Sequence, residues 1–317
     1  MADICVFGLG YVGLPTASLM ANAGFQVLGI DIDPEVVKKL NKGETRLDEA
    51  GLSTLVHAAF SSGNLVASTK PEASDTFIIC VPTPISEDKN VDLTAVRKAA
   101  ESIKPHLRPG NLVILESTSP IGTTRGVVGK ILEETGMEAG VDFDLCYCPE
   151  RVLPGNTVNE LMNNDRIVGG VTPESAVRAA LIFERFSYGK VVQTNDLTAE
   201  MCKLMENTYR DVNIALANVF ARIAEEKGVD VWEAIEHSNL HPRVNILSPW
   251  PRSWGPLHSD RPLVSHRRMS VSDESSQGRA RSQRLSTRTP ARTCREGGGR
   301  EKERQNRSPR RCLQTRH

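Results

Sequence analysis

Residues 4–31, ICVFGLGYVGLPTASLMANAGFQVLGID, decide the fold. Ile4-Cys5-Val6-Phe7 is an unbroken apolar run of the kind a buried strand needs, and Phe25 to Ile30, FQVLGI, reads as a second strand. Between them stand Gly8-Leu9-Gly10-Tyr11-Val12-Gly13 and the helical stretch PTASLMANAG. Gly8 permits a tight turn, Gly10 lets backbone amides approach a pyrophosphate, and Gly13 lets helix and strand pack closely. The helix N-terminus then offers an anion site. A G-x-G-x-x-G alone is weak evidence, but here strand, turn, helix and strand follow in order and Asp31 lies eighteen residues past Gly13. A carboxylate there accepts from ribose hydroxyls and repels a 2′-phosphate, so NAD is expected over NADP, and Asp33 adds to that repulsion.

The alternation continues. DTFIICVPTP, NLVILEST and FDLCYCPE read as strands, with DLTAVRKAAESIKPHL and TTRGVVGKILEETG as helices between them. This order predicts an α/β chain built on a doubly wound parallel sheet. Ligands of such sheets lie beyond the carboxyl ends of the strands. Three strands end in Val81-Pro82-Thr83-Pro84, Glu116-Ser117-Thr118-Ser119-Pro120 and Cys148-Pro149-Glu150-Arg151, which are expected to line one crevice.

A long helical pattern covers residues 198–227, with Met201, Leu204, Met205, Val212, Ala215, Leu216, Val219 and Ile223 at three- and four-residue steps. That spacing predicts one buried stripe. Thr198 is the expected cap, Glu200 the acid of the first turn, Lys227 the closing cation and Gly228 the stop. Such a helix would run roughly 45 Å, a length that joins two domains or two subunits. Lys203, Asn207 and Arg210 share a second face. From spacing alone, that face is either solvated or a polar site on a rigid element.

The 317 residues predict two domains. Equal totals of 39 basic and 39 acidic residues hide an asymmetry: residues 250–317 hold 17 Lys+Arg against 6 Asp+Glu, leaving 22 against 33 for residues 1–249. The acidic body, with neither a signal-peptide pattern nor a membrane-length apolar run, reads as a cytoplasmic enzyme. Cys5, Cys80, Cys146, Cys148 and Cys202 show no metal-ligand spacing and are expected as buried free thiols, so no metal site is expected.

GLGYVGLP, CVPTP, ESTSPIGTT, PERVLPG, NDRIVGG, KLMENTYRDVNIALAN and HPRVNILSP, in this order from Met1 to about Pro249, resemble the nucleotide-sugar dehydrogenases, the family of UDP-glucose dehydrogenase. ESTSPIGTT, PERVLPG and HPRVNILSP resemble the branch acting on UDP-N-acetyl-D-mannosamine. The resemblance implies NAD contacts from Tyr11, Val12, Asp31, Thr83 and Thr124. It also implies sugar-nucleotide contacts from Arg151, Val152, Lys203, Asn207, Arg210, His241 and Arg243. It makes the long helix the core of a homodimer. The domains then run 1–195 for NAD binding, 196–249 for a helical central part and 250–317 for a tail expected to be disordered. Neither nucleic acid nor membrane is an expected partner.

The family's reaction oxidises the primary alcohol at the sugar C6 twice, to a carboxylate, with two NAD. The second oxidation passes through a cysteine thiohemiacetal and thioester. Lys203 would relay the alcohol proton and stabilise the oxyanion, with Asn207 as second donor, and Glu150 and Thr118 would hold or activate water. A lysine buried beside Arg210 would have its pKa lowered. Without the resemblance, Glu150 is equally a strand-end surface acid, Thr118 a turn hydroxyl, and His241 and Arg243 loop residues.

The family's catalytic cysteine lies in a segment of the form GPGxGGHCIPxDPWF after HPRVNILSP; here WPRSWGPLHSDRPLV follows, with Leu257 where the cysteine would fall. Back-translating residues 250–264 and dropping the first nucleotide permits GPGHGGHCIPIDPW. Farther on, Arg279 to Pro290 permits AREVNDSQP in the same frame. One inserted nucleotide near codon 250 accounts for the arginine-rich, aperiodic tail, and the chain as written is expected to lack its nucleophile. A disordered nucleic-acid or membrane-surface arm is the competing reading of the tail, without aromatic interleaving or helical period to support it. UDP-glucose 6-dehydrogenase is the alternative enzyme, and an NAD-binding dimerising fragment the non-enzyme alternative. A 6-phosphogluconate-type dehydrogenase needs no cysteine and leaves the recovered GGHC unexplained.

Overall fold

The computed structural model describes residues 2–86 and 90–249. The expectations for residues 250–317, including Leu257 and the out-of-frame tail, lie outside the described residues.

Eight strands form one sheet: β1 (Ala2–Phe7), β2 (Val27–Ile30), β3 (Leu65–Ser68), β4 (Ser74–Ile79), β5 (Leu112–Leu115), β6 (Asp144–Tyr147), β7 (Arg166–Gly170) and β8 (Val191–Asn195). Their spatial order is β3-β2-β1-β4-β5-β6-β7-β8. Neighbours run parallel except β6 and β7, where Cys146 opposes Gly170 and Tyr147 opposes Gly169 in antiparallel register. The expected all-parallel sheet therefore has one reversal.

Two cores fill the two faces, as side chains alternating along each strand require. Ile4, Val6, Ile78, Ile114 and Cys146 meet α1 (Gly13–Asn22), α3 (Leu52–Ser61) and α7 (Pro173–Phe183) on one face. Cys5, Phe7, Phe77, Ile79, Leu115 and Tyr147 meet α4 (Thr94–Ile103) and the segment Thr124–Glu133 on the other. That segment is a π-helical turn, Thr124–Gly129, running into α5 (Lys130–Glu133), where the sequence predicts one regular helix. The short helices α2 (Pro34–Leu40) and α6 (Thr157–Asn163) complete the layers.

The long helix α8 spans Asp196–Lys227 and stops at left-handed Gly228, and α9 (Val231–Asn239) follows. Its cap is Asn195, whose side chain accepts from the Thr198 N–H; Thr198 itself lies inside the helix. The apolar stripe is not buried: Met205 is 57 % exposed, and Met201, Val212, Leu216, Val219 and Ile223 lie open as well. The buried positions are Asp196, Ala199, Glu200, Lys203, Ala217 and Ala224. The first two turns of α8 thus face the sheet with charged groups, and the apolar stripe lies uncovered among the described residues.

Candidate active site

Strand register builds the site. Phe7 pairs with both Ile30 and Ile79, Ile79 with Leu115, and Leu115 with Tyr147. The residues immediately past these pairs, Asp31, Gly8, Cys80, Glu116 and Cys148, therefore leave the sheet in one row. The three polar strand ends expected to line one crevice lie side by side, because their strands stop at one level.

At the β1 end, Gly8 has φ of 90°, and a Cβ there would stand 2.8 Å from the Cys80 carbonyl oxygen. A Cβ on Gly13 would overlap the Gly8 carbonyl oxygen and stand 3.0 Å from Cys80 Cβ. Gly10 is exposed, and nothing lies within 4 Å of where its Cβ would be. α1 starts with neither a side-chain cap nor an acid in its first turn. Two close-packed glycines, one open one and an uncapped helix start fit a pyrophosphate. Asp31 is held in place, its Oδ2 accepting from the Leu9 N–H at 3.1 Å and its Oδ1 from the Asp33 N–H at 3.0 Å. Beside it, a shallow cleft is lined by Leu9, Leu14, Asp33, Arg46 and Leu47 among others. Tyr11 and Val12 lie on the turn itself, Tyr11 44 % exposed.

The β4 and β5 ends are stitched together. Thr83 Oγ1 donates to the Thr118 carbonyl at 2.7 Å, and Ser117 Oγ donates to the Val81 carbonyl at 2.7 Å. Beneath them Glu116 accepts from Arg166 Nη1 at 3.3 Å and from the Cys80 thiol at 2.9 Å. The Arg166 guanidinium lies 4.5 Å from the Phe183 ring centre. Burial raises the Glu116 pKa, with Arg166 acting against it. Burial likewise pushes the Cys148 thiol up to about 12 and Cys80 well above its ordinary value. These are inert structural thiols. Among the described residues no group of three His, Cys, Asp or Glu side chains could hold a metal ion.

α8 closes the row from above. Lys203 and Glu150, 5 % and 6 % exposed, meet where β6 ends: Lys203 Nζ donates to the Glu150 carbonyl and lies 3.4 Å from Oε2. Glu150 Oε1 accepts from the Val152 N–H at 3.2 Å. The neighbour of Lys203 is thus Glu150, where the sequence suggested Arg210. Arg151 forms an ion pair with Glu206 of α8 at 2.8 Å. Asn207 is half-buried and Arg210 is exposed, so the shared face of Lys203, Asn207 and Arg210 runs from buried to open. His241 and Arg243 are exposed on the turn after α9, which Asn239 closes through its bonds to Ile246.

Two contacts escaped the sequence reading. Glu200, expected only as a dipole-compensating acid, is fully buried and accepts from the Gly122 N–H, the Thr124 N–H at 2.8 Å and Thr124 Oγ1 at 2.7 Å. Burial raises its pKa while those donors oppose the rise. Thr124 is accordingly buried, its hydroxyl turned to Glu200. Asp196 is also fully buried and takes both Nε and Nη2 of Arg125. The available signal was an acid on the same helical face as Lys203, three residues before it.

The comparisons agree with this geometry. Residues 2–187 match the NAD binding domain of the UDP-glucose/GDP-mannose dehydrogenase family, and residues 197–255 match its central domain. The chain is 55 % identical over 251 residues to the UDP-N-acetyl-D-mannosamine dehydrogenase of Methanocaldococcus jannaschii, covering 78 % of this chain and 57 % of the relative. Its identity to the Escherichia coli K12 enzyme of that name is 47 % over 259 residues, or 79 % and 61 % of the two chains. A UDP-D-ManNAc dehydrogenase structure from Pyrococcus horikoshii superposes with a TM-score of 0.79 at 44 % identity, over 82 % of this chain and 63 % of that one. The chain therefore spans less than two thirds of the length of these relatives. With a Rossmann-type sheet, a glycine turn shaped for a dinucleotide and the matched NAD-binding domain, the chain belongs to the UDP-glucose/GDP-mannose dehydrogenase family.

Proposed function

We propose that the chain comprises the NAD-binding and central parts of a UDP-N-acetyl-D-mannosamine dehydrogenase, which oxidises the sugar C6 alcohol to the uronate in two steps. The observation that carries this is the buried Lys203–Glu150 pair, delivered by α8 to the strand-end row that also holds Thr118 and the glycine turn. The names of the relatives support the sugar. The glycine-turn amides with Tyr11 and Val12 hold the pyrophosphate, Asp31 holds the adenosine ribose, and Thr83 and Thr124 line the remaining cofactor path, Thr124 from its place on Glu200. Held there, the nicotinamide would supply the hydride acceptor. Lys203 takes up the alcohol proton and relays it to solvent, and once charged it holds developing negative charge on oxygen; Asn207 gives a second donor, and Glu150 and Thr118 hold the water that releases the acid. Arg151, Val152, Arg210, His241 and Arg243 bind the sugar nucleotide. Residues 1–195 act as the NAD-binding domain and 196–249 as the central domain, which forms a homodimer through residues 198–227. The exposed stripe of α8 supports that dimer, since contiguous apolar surface of this kind is normally covered. No helix among the described residues is long and apolar enough to cross a membrane. The cytoplasm is part of this proposal and rests on the acidic composition of residues 1–249.

The nucleophile for the second step is missing from the reading frame as written. Purified 1–317 is expected to bind NAD but form no uronate from UDP-N-acetyl-D-mannosamine. A chain with the frame restored at codon 250 is expected to form uronate with release of two NADH. Uronate from 1–317 itself would refute the frameshift. A restored chain that prefers UDP-glucose would replace the substrate assigned here.

A further inference from the structure

Glu49 lies in the loop between α2 and α3, more than one hundred residues before the segment it touches. It is 7 % exposed, and its carboxylate accepts from the Gly155 N–H at 2.9 and 3.0 Å and from the Thr157 N–H at 3.2 Å. No side chain of the local sequence caps α6; Asn156, at the cap position, makes no such bond. Glu49 supplies the missing acceptor from a distance, and its charge suits the start of a helix. The amides just before Gly155 are taken as well. The Val152 N–H goes to Glu150, and the Leu153 N–H goes to Glu160 Oε2 at 2.7 Å. Asn164 Nδ2 holds the Arg151 carbonyl at 3.1 Å. Residues 150–156 are thus a loop that three carboxylates hold up to the start of α6, and of these three Glu49 is the one that comes from the first half of the sheet. Arg46 and Leu47, just before Glu49, line the cleft beside Asp33.

We infer that Glu49 is a positioning residue for the loop bearing Glu150 and Arg151, tying the sugar-nucleotide segment to the adenosine side of the cofactor site. The link to sugar nucleotide rests on the function proposed above; the pinning of the loop does not. Without Glu49, Gly155 and Thr157 lose their acceptor and the end of the loop is freed, while the glycine turn and Asp31 keep every bond described for them.

The test is hydrogen exchange on the 1–317 chain, resolved to residues 150–160, in the wild type, Glu49→Ala and Glu49→Gln, with NAD affinity measured for each. In Glu49→Ala, the Gly155 and Thr157 amides are expected to exchange roughly ten- to a hundredfold faster, the factor that one hydrogen bond to a charged acceptor carries. Glu49→Gln keeps one carbonyl acceptor and should fall between. NAD affinity should stay within about threefold, because no contact of the glycine turn changes. Unchanged exchange at 155 and 157 in Glu49→Ala overturns the inference. So does acceleration spread equally through α1 and β5, which would make Glu49 a general fold determinant. If wild-type chain itself fails to bind NAD, the proposed function falls, and the exchange result, which needs no ligand, still decides the role of Glu49.

Discussion

Replacing Lys203 by methionine tests the centre of the site. The side chain is nearly isosteric, so packing changes little, but the buried Glu150 carboxylate loses its cation and the Glu150 carbonyl loses a charged donor. Removing one partner of a buried pair costs about 3–5 kcal/mol. Glu150→Gln should cost less, about 1–3 kcal/mol, because the amide oxygen can still accept from Val152 and Lys203 keeps the backbone carbonyl. In the double variant neither charge is stranded, so the two losses should fail to add by about 1.5–3 kcal/mol. Urea unfolding of the four chains at neutral pH, followed by circular dichroism, gives all the numbers. A Lys203→Met chain within about 1 kcal/mol of the wild type, or losses that simply add, would mean that the pair is hydrated or unformed and that α8 does not deliver a buried amine to β6.

Gly13→Ala places a methyl group on the Gly8 carbonyl, and should abolish NAD binding in calorimetry while the far-UV spectrum stays that of a folded chain; retained binding would show that the turn is not the cradle. Asp31→Ser removes the charge opposing a 2′-phosphate, so the ratio of NADP to NAD affinity should rise at least about tenfold in the same titration. Leu216→Glu puts a charge in the exposed stripe of α8 and should shift light-scattering mass from dimer to monomer, whereas a wild type already monomeric would remove the proposed dimer. Glu116 and Glu200 have pKa values raised by burial, so the folded chain holds protons that the unfolded chain has released. Stability should therefore fall as pH climbs from about 4.3 through the folded values, by at most about 1.4 kcal/mol per unit per site. Urea midpoints between pH 4.5 and 7 should fall less steeply in Glu200→Gln, and identical slopes would contradict the assignment.

The first βαβ unit was legible because each of its signals is local: apolar run, glycine spacing, helix and acid all lie within residues 4–31. The crevice was legible one step further, since strands that end in Pro, Thr, Ser and Glu point to ligands once the sheet order is known. The reversal at β7 was not, because antiparallel pairing with β6 rests on two pairs of residues, Cys146 with Gly170 and Tyr147 with Gly169, that carry no signature. The cap of α8 was misplaced by three residues because Asn195 and Thr198 are both good caps, and only the backbone at Asn195 is extended. Periodicity correctly marked the stripe from Met201 to Ile223 as an apolar face. It could not say that the stripe stays exposed among the described residues, because spacing reports which side of a helix is greasy and not what lies against it.

The contacts that sequence could not reveal share a chemistry. Loops leaving parallel strands at one level carry amides that the sheet cannot pair, and buried amides need acceptors. This chain supplies carboxylates: Glu49 to Gly155 and Thr157, Glu150 to Val152, Glu160 to Leu153, and Glu200 to Gly122 and Thr124. One carboxylate has two oxygens and accepts from several donors at once, so it can fix a loop where a hydroxyl would hold a single amide. The fixed loops are those carrying Thr118, Glu150 and Arg151, and Glu200 does so from one turn before Lys203. The same acid that clamps the β5 loop therefore sets the reach of the amine. Its raised pKa is the energetic counterpart, stability given up at neutral pH for a site whose groups arrive in place.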